Sequence, residues 1–294
     1  MDINNQKILQ AGKIASQVRE LAKSFIKPNI LLLEIAEKIE TKIIELGGKP
    51  AFPVNLCINE IAAHYTPSHD DKTLARGLLK IDIGIHIDGW IADTAFSLDL
   101  ENNNENKKLI EASEKALGNA IKIAKEKINC REIGEKIQET IESFGFSPII
   151  NLSGHQIGQY FLHSGTNIPN IDDKRNVFLG KGIYAIEPFA TSGNGKVYEG
   201  KPSGIYELIK SRNIRNSFAR EILQFIISEY KTLPFCSRWL VKKFGAKSLF
   251  ALKQLEESGN LREFPQLIEE SRAKVSQAEH TVLVEENEII VTTK

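Results

Sequence analysis

Residues 78–97 read LLKIDIGIHIDGWIADTAFS, a stretch that is apolar at alternate positions yet carries carboxylates at Asp82 and Asp93. Leu79, Ile81, Ile83, Ile85 and Ile87 repeat with the period of a strand that buries one face, and Asp88-Gly89 is the dipeptide favoured by a two-residue type I′ turn. The spacing predicts a hairpin in which Ile87 pairs with Trp90, Gly84 with Asp93 and Asp82 with Ala95. Residues opposite one another share a side, so Asp82 and Asp93 project together as diagonal neighbours, with Cα atoms roughly 7–8 Å apart. Gly84 leaves space between them. Aspartate is a poor strand residue and is costly to bury alone. Two carboxylates aimed at one point repel unless a proton or a cation lies between them, so the hairpin asks for a metal. A solvated outer face would account for the pair equally well, and other acidic residues and histidines must decide.

The chain of 294 residues is long enough for one large α/β unit or two small domains with a substantial core. Its 41% hydrophobic and 26% charged residues are those of an ordinary globular protein. Lys plus Arg balances Asp plus Glu at 38 each, which removes any overall basic excess pointing to nucleic acid. Cys57, Cys130 and Cys236 are too few and too scattered for a disulfide framework or a zinc ribbon, which fits a reducing cytosol. No apolar signal-peptide core opens the sequence and no run of about 18 apolar residues occurs, so a soluble, cytoplasmic protein is expected.

Helical spacing runs through Ile8, Ala11, Ala15, Val18, Ala22 and Phe25 until Pro28, and again from Leu32 to Leu46 before Gly47-Gly48. After a polar loop at 101–106 a second pair follows, from Leu109 to Ala124 and from Ile133 to Phe144, ending at Gly145. Strands are expected at 147–152 and 182–187, and AEHTVLVEENEIIVTT closes the chain as two β-rich runs joined by a polar turn. Helix, helix, strands, repeated, suggests a pseudo-twofold α+β core with a site between its halves. Residues 195–265 break the pattern. With helical stretches at 218–230 and 247–255 around Pro234, they read as a helical insertion, leaving 1–194 and 266–294 as the core.

Outside the hairpin, NLSGHQIGQYFLHSG carries His155 and His163, GKGIYAIEPF places Glu187 at a strand end, and SQAEHTVLV places Glu279 at a strand start. Each has a bland structural alternative. Together, Asp82, Asp93, His155, Glu187 and Glu279 form an ordered set whose flanking sequence resembles the methionine aminopeptidases of the pita-bread fold, specifically the type 2 branch. The matching stretches are AAHYTP (62–67), KIDIGIHIDGWIADTAFS (80–97), SGHQIGQYFLH (153–163), YAIEPFATSGNG (184–195) and AEHT (278–281). They span most of the chain, and the insertion falls where type 2 enzymes carry a helical subdomain. The long charged extension that precedes eukaryotic members has no counterpart here, so partners bound through it are not carried over.

The resemblance implies two divalent cations, and the carboxylate-rich donor set suits Mn, Fe, Co or Zn. Asp93 and Glu279 would bridge both ions, Asp82 would chelate one, and His155 and Glu187 would complete the other. Such centres attack the scissile carbonyl with an activated hydroxide, with Glu187 as the expected proton shuttle. His64 and His163 match the family's accessory histidines, expected to contact substrate and donate hydrogen bonds to the tetrahedral intermediate. His69, His86 and His280 read as structural, the last because its side chain alternates away from that of Glu279. Phe52, Leu162, Ile205 and Phe264 fall at positions of the pocket that holds the methionine side chain, although core residues would look the same in sequence. Eukaryotic members carry histidine and tyrosine at the last two.

The resulting expectation is a monomeric cytosolic enzyme that removes the initiator methionine from nascent chains with a small second residue, possible docking on the ribosome included, with no membrane or specific nucleic-acid partner. A proline-specific peptidase of the same fold would use the same five ligands, but such enzymes carry a large domain before the core. A catalytically dead relative that binds RNA would have lost ligands that this chain keeps.

Overall fold

The computed structural model describes residues 4–286 and 288–294. Position 287, within the polar turn expected near the C-terminus, lies outside the described residues. Helix α1 (Asn5–Phe25) starts where the Asn4 side chain accepts from the Lys7 N–H, and α2 (Leu32–Glu45) stops before Gly47 at φ +85°. The second pair is α3 (Asn104–Ile123), capped by Asn103, and α4 (Cys130–Ser143), opened by an Asn129/Glu132 capping box and stopped before Gly145 at φ +80°. All four helices occur where their apolar periodicity places them.

The strands Leu78–Ile87 and Trp90–Asp99 form the hairpin in the expected register, with Ile87 opposite Trp90, Gly84 opposite Asp93 and Asp82 opposite Ala95. Asp88 (φ +49°) and Gly89 (φ +84°) both adopt the left-handed backbone that a type I′ turn requires. One face of the hairpin is covered by α1 and α2 through Ile14, Val18, Ile35, Ile39, Ile81 and Ile83. In the second half α3 and α4 cover a five-stranded sheet whose order is Asn167–Pro169, Ser153–Ile157, Gly182–Ile186, His280–Val284 and Ile289–Val291. Two helix pairs thus shield two sheets, and the open faces of those sheets meet at the centre. Of the stretch expected as a strand at 147–152, only Ser147–Pro148 is one, and the next strand begins at Ser153.

The segment 195–265 contains α5 (Ser217–Glu229), α6 (Ser237–Phe244) and α7 (Ser248–Glu257), packed around Ile222, Ile226, Leu240 and Leu252. It is not helical throughout. It opens on Val197–Leu208 and leads into Leu261–Glu269, two antiparallel strands that carry the helices outward. Pro202 lies opposite Pro265 and the register shifts on both sides of it, so neither strand shows the even alternation by which strands are recognised. Arg238 of α6 forks onto Glu40 of α2 at 2.6 and 2.9 Å, tying this segment to the first half.

Candidate metal centre

Each proposed ligand is fixed by strand geometry. The Thr281 hydroxyl accepts from the Asp93 N–H at 2.7 Å and donates to the Asp93 carbonyl at 2.8 Å, while the Thr94 hydroxyl donates to the Glu279 carbonyl at 2.9 Å. These bonds stitch the first-half hairpin to the C-terminal strand and hold Asp93 and Glu279 side by side. His155 lies opposite Ala185, which places it beside Glu187 just beyond the strand Gly182–Ile186. The His155 Nε2 is 3.5 Å from Glu187 Oε1 and 3.9 Å from Asp93 Oδ2. One donor atom from each of Asp93, His155 and Glu279 lies within 4.8 Å of the others. Asp82 completes the group from the facing strand of the hairpin, diagonal to Asp93 and lining the same cavity.

The electrostatics are those of crowded, desolvated acids. Burial pushes Asp82 up to about 7. Burial, then the neighbouring carboxylates, holds Asp93, Glu187 and Glu279 well above the usual carboxylate range. Burial and the adjacent His163 push His155 down to about 3, so its ring is neutral and offers a lone pair. Asp82 Oδ1, Asp93 Oδ1, His155 Nδ1 and Glu279 Oε2 are buried without a hydrogen-bond partner. Four carboxylates and an imidazole with orphaned acceptors fit a hard or borderline divalent cation, which replaces the protons that otherwise keep them together.

The five residues line one cavity of about 390 Å3. His64, His163, Phe52, Leu162, Ile205 and Phe264 line it as well, so every residue of the sequence-derived set is brought to one place. His163 stands at the mouth with its ring centroid 4.2 Å from that of His155. His64 adopts φ +62° and its Nδ1 lies 3.1 Å from the Pro265 carbonyl. Since a carbonyl can only accept, Nδ1 carries the proton and the neutral ring presents an accepting Nε2. Phe264 meets His64 edge-on at 5.4 Å. His86 and His280 lie outside the cluster: His86 accepts from the Gly89 N–H in the turn, and His280 faces Arg19 and Thr293.

The space above Gly84, expected to lie open between the aspartates, is filled by the Phe52 ring, which a methyl group at Gly84 would penetrate. Gly84→Ala is therefore expected to displace Phe52, at about 1–3 kcal/mol in urea denaturation, and to raise KM for methionyl peptides. Unchanged stability and KM would mean that the ring does not rest on this glycine. Two functional candidates escape a reading of the sequence. Asn55 lines the cavity opposite Asp82. Gln277 reaches Glu187 Oε2 with its Nε2 at 3.5 Å. A side chain two residues before Glu279 was the signal available for Gln277, since it shares a side with that ligand if the strand continues.

A pseudo-twofold α+β frame with a buried carboxylate and imidazole cluster at its centre is the arrangement of a metal-dependent peptidase, and the chain belongs to metallopeptidase family M24, whose profile matches residues 6–286. Within that family it is 50% identical to the methionine aminopeptidase of Pyrococcus abyssi, with 100% of both chains covered. The fold superposes on the methionine aminopeptidase of Thermotoga maritima with a TM-score of 0.70 at 22% identity, covering 98% of this chain and 96% of that one. A thermophilic Arx1 superposes with a TM-score of 0.82 at 14% identity, covering 98% and 90%. The pita-bread fold and the family resemblance carried by the five motifs hold over the whole chain. Among the described residues, no helix is long and apolar enough to cross a membrane.

Proposed function

We propose that this chain is a methionyl aminopeptidase that removes the N-terminal methionine from nascent proteins with a small second residue. The observation that carries this reading is the convergence of four carboxylates, Asp93 and Glu279 among them fully buried, and a neutral imidazole on a cavity walled by Phe52, Leu162, Ile205 and Phe264. Asp82, Asp93, His155, Glu187 and Glu279 would hold two divalent ions. When bound, the ions supply Lewis acidity and a water acidic enough to act as nucleophile at neutral pH. Glu187 takes a proton at Oε1 and returns it to the departing amine, while Gln277 holds its Oε2. His64 accepts a substrate N–H at Nε2, the reverse of the donor role expected from the family, and His163 contacts the peptide at the mouth. The apolar walls take the thioether by shape and dispersion. The segment 195–265 acts as a subdomain, and the protein works as a cytoplasmic monomer on chains emerging from the ribosome, with Mn, Fe, Co or Zn in its centre.

The test is hydrolysis of Met-Ala-Ser against Ala-Pro peptides after loading with each metal in turn, alongside RNA binding by the metal-free protein. Preferential cleavage of Met-Ala-Ser supports the reading. Preference for Ala-Pro, or RNA binding without peptidase activity, overturns it. Calorimetric titration with Mn2+ is expected to reach two ions per chain with proton release. The carboxyls hold protons more tightly in the metal-free fold than usual, so the ions displace them. Affinity should therefore rise as pH increases through about 7, where Asp82 titrates, and fall below it.

A further inference from the structure

On this reading of the reaction, we propose that Asn55 is a substrate-binding residue whose side-chain oxygen accepts a hydrogen bond from the α-amino group of the N-terminal methionine. Asn55 lies on the short strand Asn55–Ile58 and faces Asp82 directly across the ladder. Directly opposed residues share a side of the sheet, so its amide enters the cavity beside Asp82. The residue is only 5% exposed.

Its amide has one orientation. Nδ2 donates to the Pro53 carbonyl at 2.8 Å, and a flipped amide would set two acceptors against each other. This leaves Oδ1 buried with no partner. The surrounding backbone is held as well: the Val54 N–H donates to Glu40 at 3.3 Å and the Thr66 hydroxyl donates to the Val54 carbonyl at 2.9 Å. An acceptor kept rigid and unsatisfied inside a binding cavity costs stability in the free protein, and a donor on the ligand recovers it.

The substrate limits what that donor can be. A methionine side chain has no N–H or O–H, so an N-terminal methionyl peptide offers only its α-amine and its amide N–H groups near the cluster. The amide nearest the cluster belongs to the scissile bond, beside Glu187 and the histidines. The α-amine is one residue away, and on that side Asn55 offers an orphaned acceptor next to Asp82, outside the set of metal donors. A bond there recognises the free chain end, which separates removal of one residue from cleavage within a chain.

The decisive measurement compares inhibition of the Mn2+-loaded enzyme by L-methioninamide and by its des-amino analogue, 4-(methylthio)butanamide, in wild type and in Asn55→Leu. Hydrogen bonds involving a charged partner contribute enough to change affinity on the order of 10-fold to 100-fold. Wild type should favour methioninamide over the analogue, and Asn55→Leu should shrink that preference at least about tenfold while binding the analogue as well as before. Asn55→Ala, which empties the position instead of filling it, reads the same ratio if the leucine variant does not fold. An unchanged ratio, or equal weakening of both compounds, overturns the proposal and leaves the aminopeptidase reading intact. Absence of Met-Ala-Ser hydrolysis by the wild type overturns both.

Discussion

Asp93→Ala is expected to abolish hydrolysis of Met-Ala-Ser, a loss of at least about a thousand-fold. Lewis-acid stabilisation amounts to several kcal/mol and each 1.36 kcal/mol is about tenfold in rate. The side chain is held in place within the cluster: its Oδ2 lies 3.9 Å from His155 Nε2, and Thr281 bonds both its N–H and its carbonyl. The far-UV spectrum should stay that of the wild type, because α1, α3 and α4 are capped, and all four helices packed, independently of this carboxylate. Wild-type protein should also gain thermal stability from Mn2+, as any ligand that binds only the folded state confers, and the variant should gain little. Full activity or an undiminished Mn2+-induced rise in Tm in Asp93→Ala would remove this residue from the ligand set.

The second large effect lies away from the cavity. Arg238 and Glu40 are buried, at 3% and 7% exposure, and Glu40 also accepts from Trp239 Nε1 at 2.9 Å and from the Val54 N–H. Arg238 in turn donates from Nε to the Pro67 carbonyl at 3.0 Å. Removing one partner of such a pair strands the other charge in a dry environment. Arg238→Ala should therefore cost about 3–5 kcal/mol in urea denaturation, whereas Glu40→Met combined with Arg238→Met should recover part of that loss. A cost below about 1 kcal/mol for the single variant would show that solvent reaches Glu40 readily. Because Glu40 holds Val54, beside Asn55, the same variant should also weaken binding of methionyl peptides.

What the sequence disclosed follows from which interactions are local. The hairpin register could be derived because the turn dipeptide and the alternating isoleucines lie within twenty positions, and the helices because caps and periodicity are local too. The five donors were legible through motif order, and a single cavity contains them. Asn55 was not legible, since its meaning depends on pairing with a strand 27 residues later, opposite Asp82. The ribbon that carries the helices of segment 195–265 was hidden by Pro202 and Pro265, which remove ladder donors and read as breaks. The proton position on His64 depends on the Pro265 carbonyl, two hundred residues away, which no local pattern reports.

The bond from the Glu279 N–H to the Ala95 carbonyl, at 2.9 Å, has a consequence for the order of events during synthesis. Donors at 82 and 93 emerge early, yet the set is incomplete until the strand His280–Val284 inserts beside Gly182–Ile186. A growing polypeptide can thus form its helix pairs and hairpin before the proposed donor set is complete. On the proposed donor set, hydrolytic activity therefore waits for the last strand to dock, and an unfinished chain lacks the machinery to cut its neighbours.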